Sequence, residues 1–154
     1  NIIGSDPSGK LGEKNNFISR IVPLFYKNLI KKKDNILFYD YMSKEFPYRN
    51  YMHVDDIANV NLKIIENLKK FKKNYYIFNV QNKKQYSNFQ VLDVLSKILK
   101  VKPRYSLRQI SKKESIAQSF KFKDDIFKFI KYKPKYINLK EILKTNIKWF
   151  KKIY

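Results

Sequence analysis

Apolar positions recur along the chain with two different periods. Phe17, Ile18, Ile21, Leu24, Phe25 and Ile30 stand three or four apart, which predicts a helix with Pro23 near its first turn. Residues 36–39 read as a short strand, 40–47 as a polar loop stopped by proline, and 48–54 as extended chain. Asp55 and Asp56 offer an N-cap for a long helix that would bury Ile57, Val60, Ile64, Ile65, Leu68 and Phe71 along one face. Residues 75–80 read as a buried strand. Ser87 with Gln90 has the spacing of a capping box and opens a helix on Val91, Val94, Leu95, Ile98 and Leu99. Residues 101–107 hold another strand, and 126–130 a short helix closed by Pro134. Asn138 and Glu141 introduce a last helix lined by Leu139, Ile142, Leu143, Ile147 and Phe150. Strands alternating with helices predict an α/β fold whose sheet is incomplete and needs a partner layer.

Composition narrows the chemistry. The chain has 154 residues, 44% of them hydrophobic, which is enough for one domain with a real core. It has no Cys and one His, His53, which excludes disulfides, thiolate metal sites, nucleophilic cysteine and multi-histidine metal sites. No apolar run approaches the length of a membrane span or a secretory leader, so the expected compartment is the cytoplasm, without a membrane partner. The first residue is Asn, as expected for a piece of a longer or processed chain.

The formal net charge is +21, yet 30 of the 34 basic residues are Lys. Lys, Asn, Ile, Tyr and Phe together make 88 of the 154 residues. All five use A- and T-rich codons, so the lysines reflect base composition as much as selection for a polyanion. A selected nucleic-acid surface uses Arg for bidentate contacts, and the four Arg are scattered. Against that background, Arg49 between Tyr48 and Tyr51 stands out. It suits either a bidentate diphosphate contact or a stack on tyrosine at the surface. The three glycines, Gly4, Gly9 and Gly12, all fall in the first twelve positions and mark a loop with special backbone geometry.

Other motifs fail on chemistry. Gly4-x-x-x-x-Gly9-Lys10-Leu11 nearly matches a phosphate-cradling loop, but Leu11 has no hydroxyl for magnesium. Tyr136-x-x-x-Lys140 has dehydrogenase spacing, but Tyr136 precedes the cap Asn138, so the pair does not share a helix. A lone His53 in an extended segment reads as a hydrogen-bonded structural residue, and Asp55 and Asp56 as helix cap and first turn rather than metal ligands.

Read together, these pieces resemble one family. Asn1 with Gly4-x-Asp-Pro7-Ser8-Gly9-x-Leu-Gly12-Glu13 is similar to the loop after the central strand of UDP-glucose 4-epimerases. Arg49-x-Tyr51-Met-His53-Val54-x-Asp56-Ile-Ala58 resembles their Arg-Asp-Tyr-Ile-His-Val-x-Asp-Leu-Ala segment. Phe78-Asn79-Val80, Tyr86-Ser87 and Tyr132-x-Pro134-x-Tyr136 resemble later elements of the same family, in the same order.

The resemblance implies that residues 1–154 form the C-terminal, nucleotide-sugar-binding part of an extended short-chain dehydrogenase/reductase. This would be an incomplete Rossmann-type protein whose NAD-binding half, with the catalytic Tyr-x-x-x-Lys, lies upstream. It implies no catalytic residue and no metal in this chain, NAD held by the upstream half, and a homodimer of the full protein. By resemblance, Asn1 bonds the diphosphate-sugar region, Arg20 and Ile21 lie near the nucleotide, and Leu37 and Tyr39 pack and stack on uracil. Arg49 clamps the diphosphate, with Tyr51 as its pocket neighbour. Glu114 aligns with an Asp that follows a second phosphate Arg by three residues; position 111 is Ser, and Arg108 is the candidate substitute. Other departures are Asn50 for the usual Asp, Gln81 and Lys83 for usual glycines, and a shorter loop between Asp40 and Arg49. The expected activity of the whole enzyme is interconversion of UDP-glucose and UDP-galactose, with this fragment inactive alone. The alternatives are another NAD-dependent nucleotide-sugar epimerase or dehydratase, a basic nucleic-acid-binding module, and an inactive remnant.

Overall fold

Helix-forming runs and short strands alternate along the chain as the periodicity requires. The computed structural model describes residues 2–5, 20–72, 76–110 and 126–154. In chain order the elements are β1 (Ile2–Ile3), α1 (Ile21–Ile30), β2 (Asn35–Tyr39), β3 (Tyr48–Asn50), β4 (Met52–His53) and α2 (Val54–Glu66). A 3-10 turn at Leu68–Lys70 follows, then β5 (Gln85–Ser87), α3 (Asn88–Leu99), β6 (Tyr105–Gln109), α4 (Ile126–Phe129) and α5 (Leu139–Ile153). The strands pair in three two-stranded ladders. β1 and β4 run parallel, with Ile3 opposite His53. β2 and β6 run parallel from Asn35 opposite Tyr105 to Tyr39 opposite Gln109. β3 and β5 are antiparallel, with Arg49 opposite Tyr86.

The core lies where α1, α3 and α5 pack together over Ile3 and Leu37. Val22, Phe25 and Leu29 of α1, Val91 and Leu95 of α3, and Ile142, Leu143 and Phe150 of α5 are buried there. Each such side chain contributes about 1.5–3 kcal/mol when removed from water. Two of the expected caps form. Ser87 Oγ accepts from Gln90 N–H at 3.1 Å while Gln90 returns its side-chain oxygen to Ser87 N–H at 2.8 Å. Asn138 Oδ1 accepts from Glu141 N–H at 3.0 Å at the start of α5.

Four expectations are corrected. α2 begins at Val54, and its N-cap is His53, whose ring accepts from Asp55 N–H; Asp55 and Asp56 sit in the first turn, where negative charge favours the dipole. The apolar face of α2 is covered only in part: Val60 is buried against Ile126 and Ile130 with Ile64 packed on them, but Ile65 is 62% exposed. Residues 76–80 form no ladder among the described residues and Ile77 is 78% exposed; Tyr76 and Phe78 stack on one another instead. Aromatic and β-branched residues favour a strand, but a strand needs a hydrogen-bonding neighbour. The last strand starts at Tyr105 rather than 101, beyond Pro103, which has no N–H for a ladder. The expected helical start at Phe17 and Ile18, and Tyr75, Gly9 and Gly12, lie outside the described residues. Among the described residues no helix is long and apolar enough to cross a membrane.

Candidate functional site

Ligands of α/β proteins gather at the carboxyl ends of parallel strands. In this chain those ends are His53 with Gly4 and Ser5 on the β1–β4 ladder, and Tyr39 with Gln109 on the β2–β6 ladder.

His53 is fully buried, and both ring nitrogens are engaged. Nδ1 accepts from Asp55 N–H at 3.1 Å, so it carries no proton. Nε2 lies 2.9 Å from Thr145 Oγ1, whose own hydrogen goes to Ile142 O at 2.7 Å. Nε2 therefore donates, and the imidazole is the neutral Nε2–H tautomer. Burial, its largest influence, pushes the His53 pKa down, against the pull of Asp56 and Asp55. The ring stacks on Tyr136 with centroids 3.7 Å apart. Gly4 has φ +115°, and a Cβ there would lie 2.5 Å from His53 Cδ2, so glycine is required on both counts. Ser5 Oγ donates to Thr145 O at 2.6 Å, tying the same strand end to α5. A histidine held this way is a keystone, as its lone occurrence suggested, and not a proton shuttle.

Asp56 closes the joint from the other side. Its Oδ1 accepts from Tyr132 OH at 2.6 Å and Lys135 N–H at 2.7 Å, and its Oδ2 from Tyr136 N–H at 3.0 Å. Burial first, then the bond to Asp56, pushes the Tyr132 phenol well above its ordinary value. The first turn of α2 thereby fastens the Tyr132-x-Pro134-x-Tyr136 segment.

Arg49 lies on β3, half-buried. Its Nη1 donates to Tyr48 O at 2.8 Å, and no carboxylate pairs with it among the described residues. Cation–ring contacts among the described residues join Lys27 to Tyr154 and Lys135 to Tyr136, not Arg49 to its flanking tyrosines. The guanidinium keeps donors for a ligand. Tyr51 is a core residue whose phenol burial pushes up to about 12, with the Arg49 charge pulling the other way. It supports the site from beneath rather than lining it.

Asn50 is explained by its partners. Its Oδ1 accepts from Asn82 N–H at 2.8 Å and its Nδ2 donates to Lys84 O at 3.2 Å. An Asp there would turn an oxygen toward a carbonyl. Asn82 passes the tie onward, donating to Ile137 O at 3.0 Å.

On β2 the strand phase corrects the expected pocket residues. Leu37 is 0% exposed and belongs to the core, so it cannot touch a ligand. Tyr39 turns toward Phe46, ring centroids 4.8 Å apart. Phe38 points the other way, is 36% exposed, and lies opposite Arg108. Paired residues of a parallel ladder share a face, so Phe38 and Arg108 stand together on the side away from Leu37 and Tyr39. Phe38 is an exposed aromatic on this strand that motif reading passed over; strict alternation from buried Leu37 is the signal that finds it. Arg20 caps α1 with extended backbone and is exposed, and Ile21 beside it packs on the core. Asn1 and Glu114 lie outside the described residues. No group of His, Asp or Glu side chains able to hold a metal occurs among the described residues.

No family model matches the chain. It is 28% identical over 101 residues to a UDP-glucose 4-epimerase of Halalkalibacterium halodurans, an overlap of 64% of this chain and 30% of that protein. It is 24% identical over 157 aligned positions to a UDP-glucose 4-epimerase of Lactobacillus helveticus, covering 98% of this chain and 46% of that one. The fold superposes on the crystal structure of UDP-glucose 4-epimerase from Bifidobacterium longum in complex with NAD+ and UDP, with TM-score 0.82 and 20% identity. That match spans 99% of this chain and 45% of the other. The chain thus has the α/β fold of the C-terminal portion of UDP-glucose 4-epimerase structures, and it spans less than half the length of the curated relatives it matches.

Proposed function

We propose that this chain is the UDP-sugar-binding half of an NAD-dependent UDP-glucose 4-epimerase, an isomerase interconverting UDP-glucose and UDP-galactose. The observation that carries this reading is the agreement of sequence and fold with such enzymes over nearly all of this chain but under half of theirs. Arg49 holds the diphosphate through two parallel N–H donors, a geometry lysine cannot reproduce. Phe38 offers its face to the uracil, and Arg108 beside it supplies a second positive charge to the phosphates. His53 and Asp56 touch no ligand; they hold the strand end, α5 and the 132–136 segment in fixed relation, which sets where the sugar lies. NAD supplies a hydride acceptor and donor in such enzymes. The three glycines here do not make a Gly-x-Gly-x-x-Gly turn, so the cofactor falls to the upstream half, and no hydride step runs through these residues. That half, and a second copy of the whole enzyme, are the protein partners in this reading.

Calorimetric titration of the chain with UDP, UDP-glucose and uridine tests it. UDP and UDP-glucose compete for one site, uridine binds at least tenfold more weakly, and Arg49→Lys loses about 1–3 kcal/mol of UDP binding. A folded chain that binds UDP no better than uridine overturns the proposal. Epimerase turnover by the purified chain alone overturns its assignment to half an enzyme.

A further inference from the structure

We propose a second anion site, in the cleft between the C-terminal ends of α1 and α3, that takes a small polyphosphate. The cleft has a volume of about 460 Å³. Lys32, Lys33, Lys100, Lys102 and Arg104 surround it, and among the described residues no acid lines it. Its floor is apolar, made by Leu29, Val101 and Pro103. Asp34 lies 3.3 Å from the Nε of the lining residue Arg104, in a pair exposed on both sides, which water and salt screen.

Base composition accounts for abundant lysine, but not for its convergence from two separate turns, 32–33 and 100–104, on one cavity. The usual reason for cations at helix C-termini is also met without these side chains. Lys32 N–H bonds Leu29 O at 3.2 Å, Lys33 N–H bonds Asn28 O at 2.9 Å, and Val101 N–H bonds Ser96 O at 3.0 Å. These three carbonyls are satisfied by backbone N–H groups, without the lysine ammonium groups. Lys32 and Lys100 also hold left-handed backbone at φ +52° and +56°, where glycine is the easy choice.

The chemistry selects the ligand class. Four point-charge donors and one guanidinium match oxygens spread over two or three phosphates, and the half-open cleft has room for a small molecule. The cleft sits at the opposite end of the β2–β6 ladder from Tyr39, roughly 15 Å away for a five-residue strand. Its lining shares no residue with the strand that carries Arg49, and it does not depend on the UDP-sugar reading.

The test titrates inorganic tripolyphosphate into the 154-residue chain at 150 mM KCl, by calorimetry and by amide chemical shifts. Binding at this salt is expected, with shifts clustered at residues 32–33 and 100–104. Lys33→Glu with Lys102→Glu should weaken binding at least tenfold. Lys140→Glu with Lys144→Glu, exposed on α5 and identical in charge change, should alter it less than threefold. The neutral pair Lys33→Gln with Lys102→Gln should show an intermediate loss. Arg49→Lys should leave tripolyphosphate affinity unchanged, which separates this site from the proposed diphosphate clamp. Equal losses in the cleft and control variants, scattered shifts, or no binding at 150 mM KCl would overturn the site. So would displacement of tripolyphosphate by a short DNA duplex through contacts spread over the whole chain.

Discussion

The layer of α1, α3 and α5 and the flank of β1, α2 and residues 76–80 are written in the same apolar alphabet, but the layer forms the large core. The flank closes on a small cluster of Val60, Ile126 and Ile130, with Ile64, Phe78 and Val80 packed on it. In the layer, Phe25, Leu29, Val91, Leu95, Leu143 and Phe150 are all buried against each other. On the flank, Ile2, Leu62, Ile65, Leu68 and Ile77 face solvent. A helix with an apolar stripe is stable because the stripe packs on something. The contrast marks the flank where these apolar side chains stay exposed among the described residues, with Ile2 of β1 on it. Between the two regions stands the joint of His53, Asp56 and Tyr136, whose polar bonds fix an interface that apolar contact alone does not close.

The largest effect expected separates the two regions directly. Leu143→Ala should cost about 2–5 kcal/mol in urea unfolding, because it leaves a cavity in the covered layer. Ile65→Ala should cost less than about 0.5 kcal/mol, because its side chain is already in water. Equal losses would erase the distinction. Asp56→Ala should cost about 3 kcal/mol, since Tyr132 OH and two backbone N–H groups lose their acceptor at once. Asn50→Asp should destabilise by roughly 1–3 kcal/mol although it matches the related pattern, because the carboxylate opposes the Lys84 carbonyl. A stability gain from Asn50→Asp would show that the Asn50–Asn82 tie is not what holds β3 to the 82–84 turn. Lys100→Gly should stabilise by about 1 kcal/mol by relieving the left-handed backbone.

Acid should act at the joint. The unfolded His53 titrates near 6.5, and burial lowers its folded value. Below pH of about 6.5 the unfolded chain therefore holds a proton that the folded chain lacks, so stability falls as pH falls through that range. His53→Gln should flatten this part of the stability profile; an unchanged slope would place the titration elsewhere.

Local signals were legible, and nonlocal ones were not. Ser87 with Gln90, and Asn138 three residues before Glu141, declare their caps within one turn, so both appear where the spacing puts them. α2 takes its cap from His53 instead of Asp55, because the ring is held by Thr145, ninety-two positions away. Residues 76–80 carry strand propensity that no described neighbour satisfies. On β2, Asn35 is buried and donates to Arg104 O at 3.0 Å, so a polar residue occupies an inward position and hides the alternation. Leu37 and Tyr39 rest on the family resemblance alone, and the resemblance carries no strand phase that would show Leu37 to be buried. Arg49 stands out as a candidate because arginine is rare here, whereas the double role of Asp56 depends on a segment nearly eighty residues later.

Native-state hydrogen exchange of the intact chain weighs the covered layer against the open flank most directly. Amides of α3 and α5 should exchange only through global unfolding, while those of Ile3, the second half of α2 and residues 76–80 should exchange orders of magnitude faster through local opening. Uniform strong protection across both regions would contradict the central claim, and would mean that this chain is an autonomous domain and not one half of a larger enzyme.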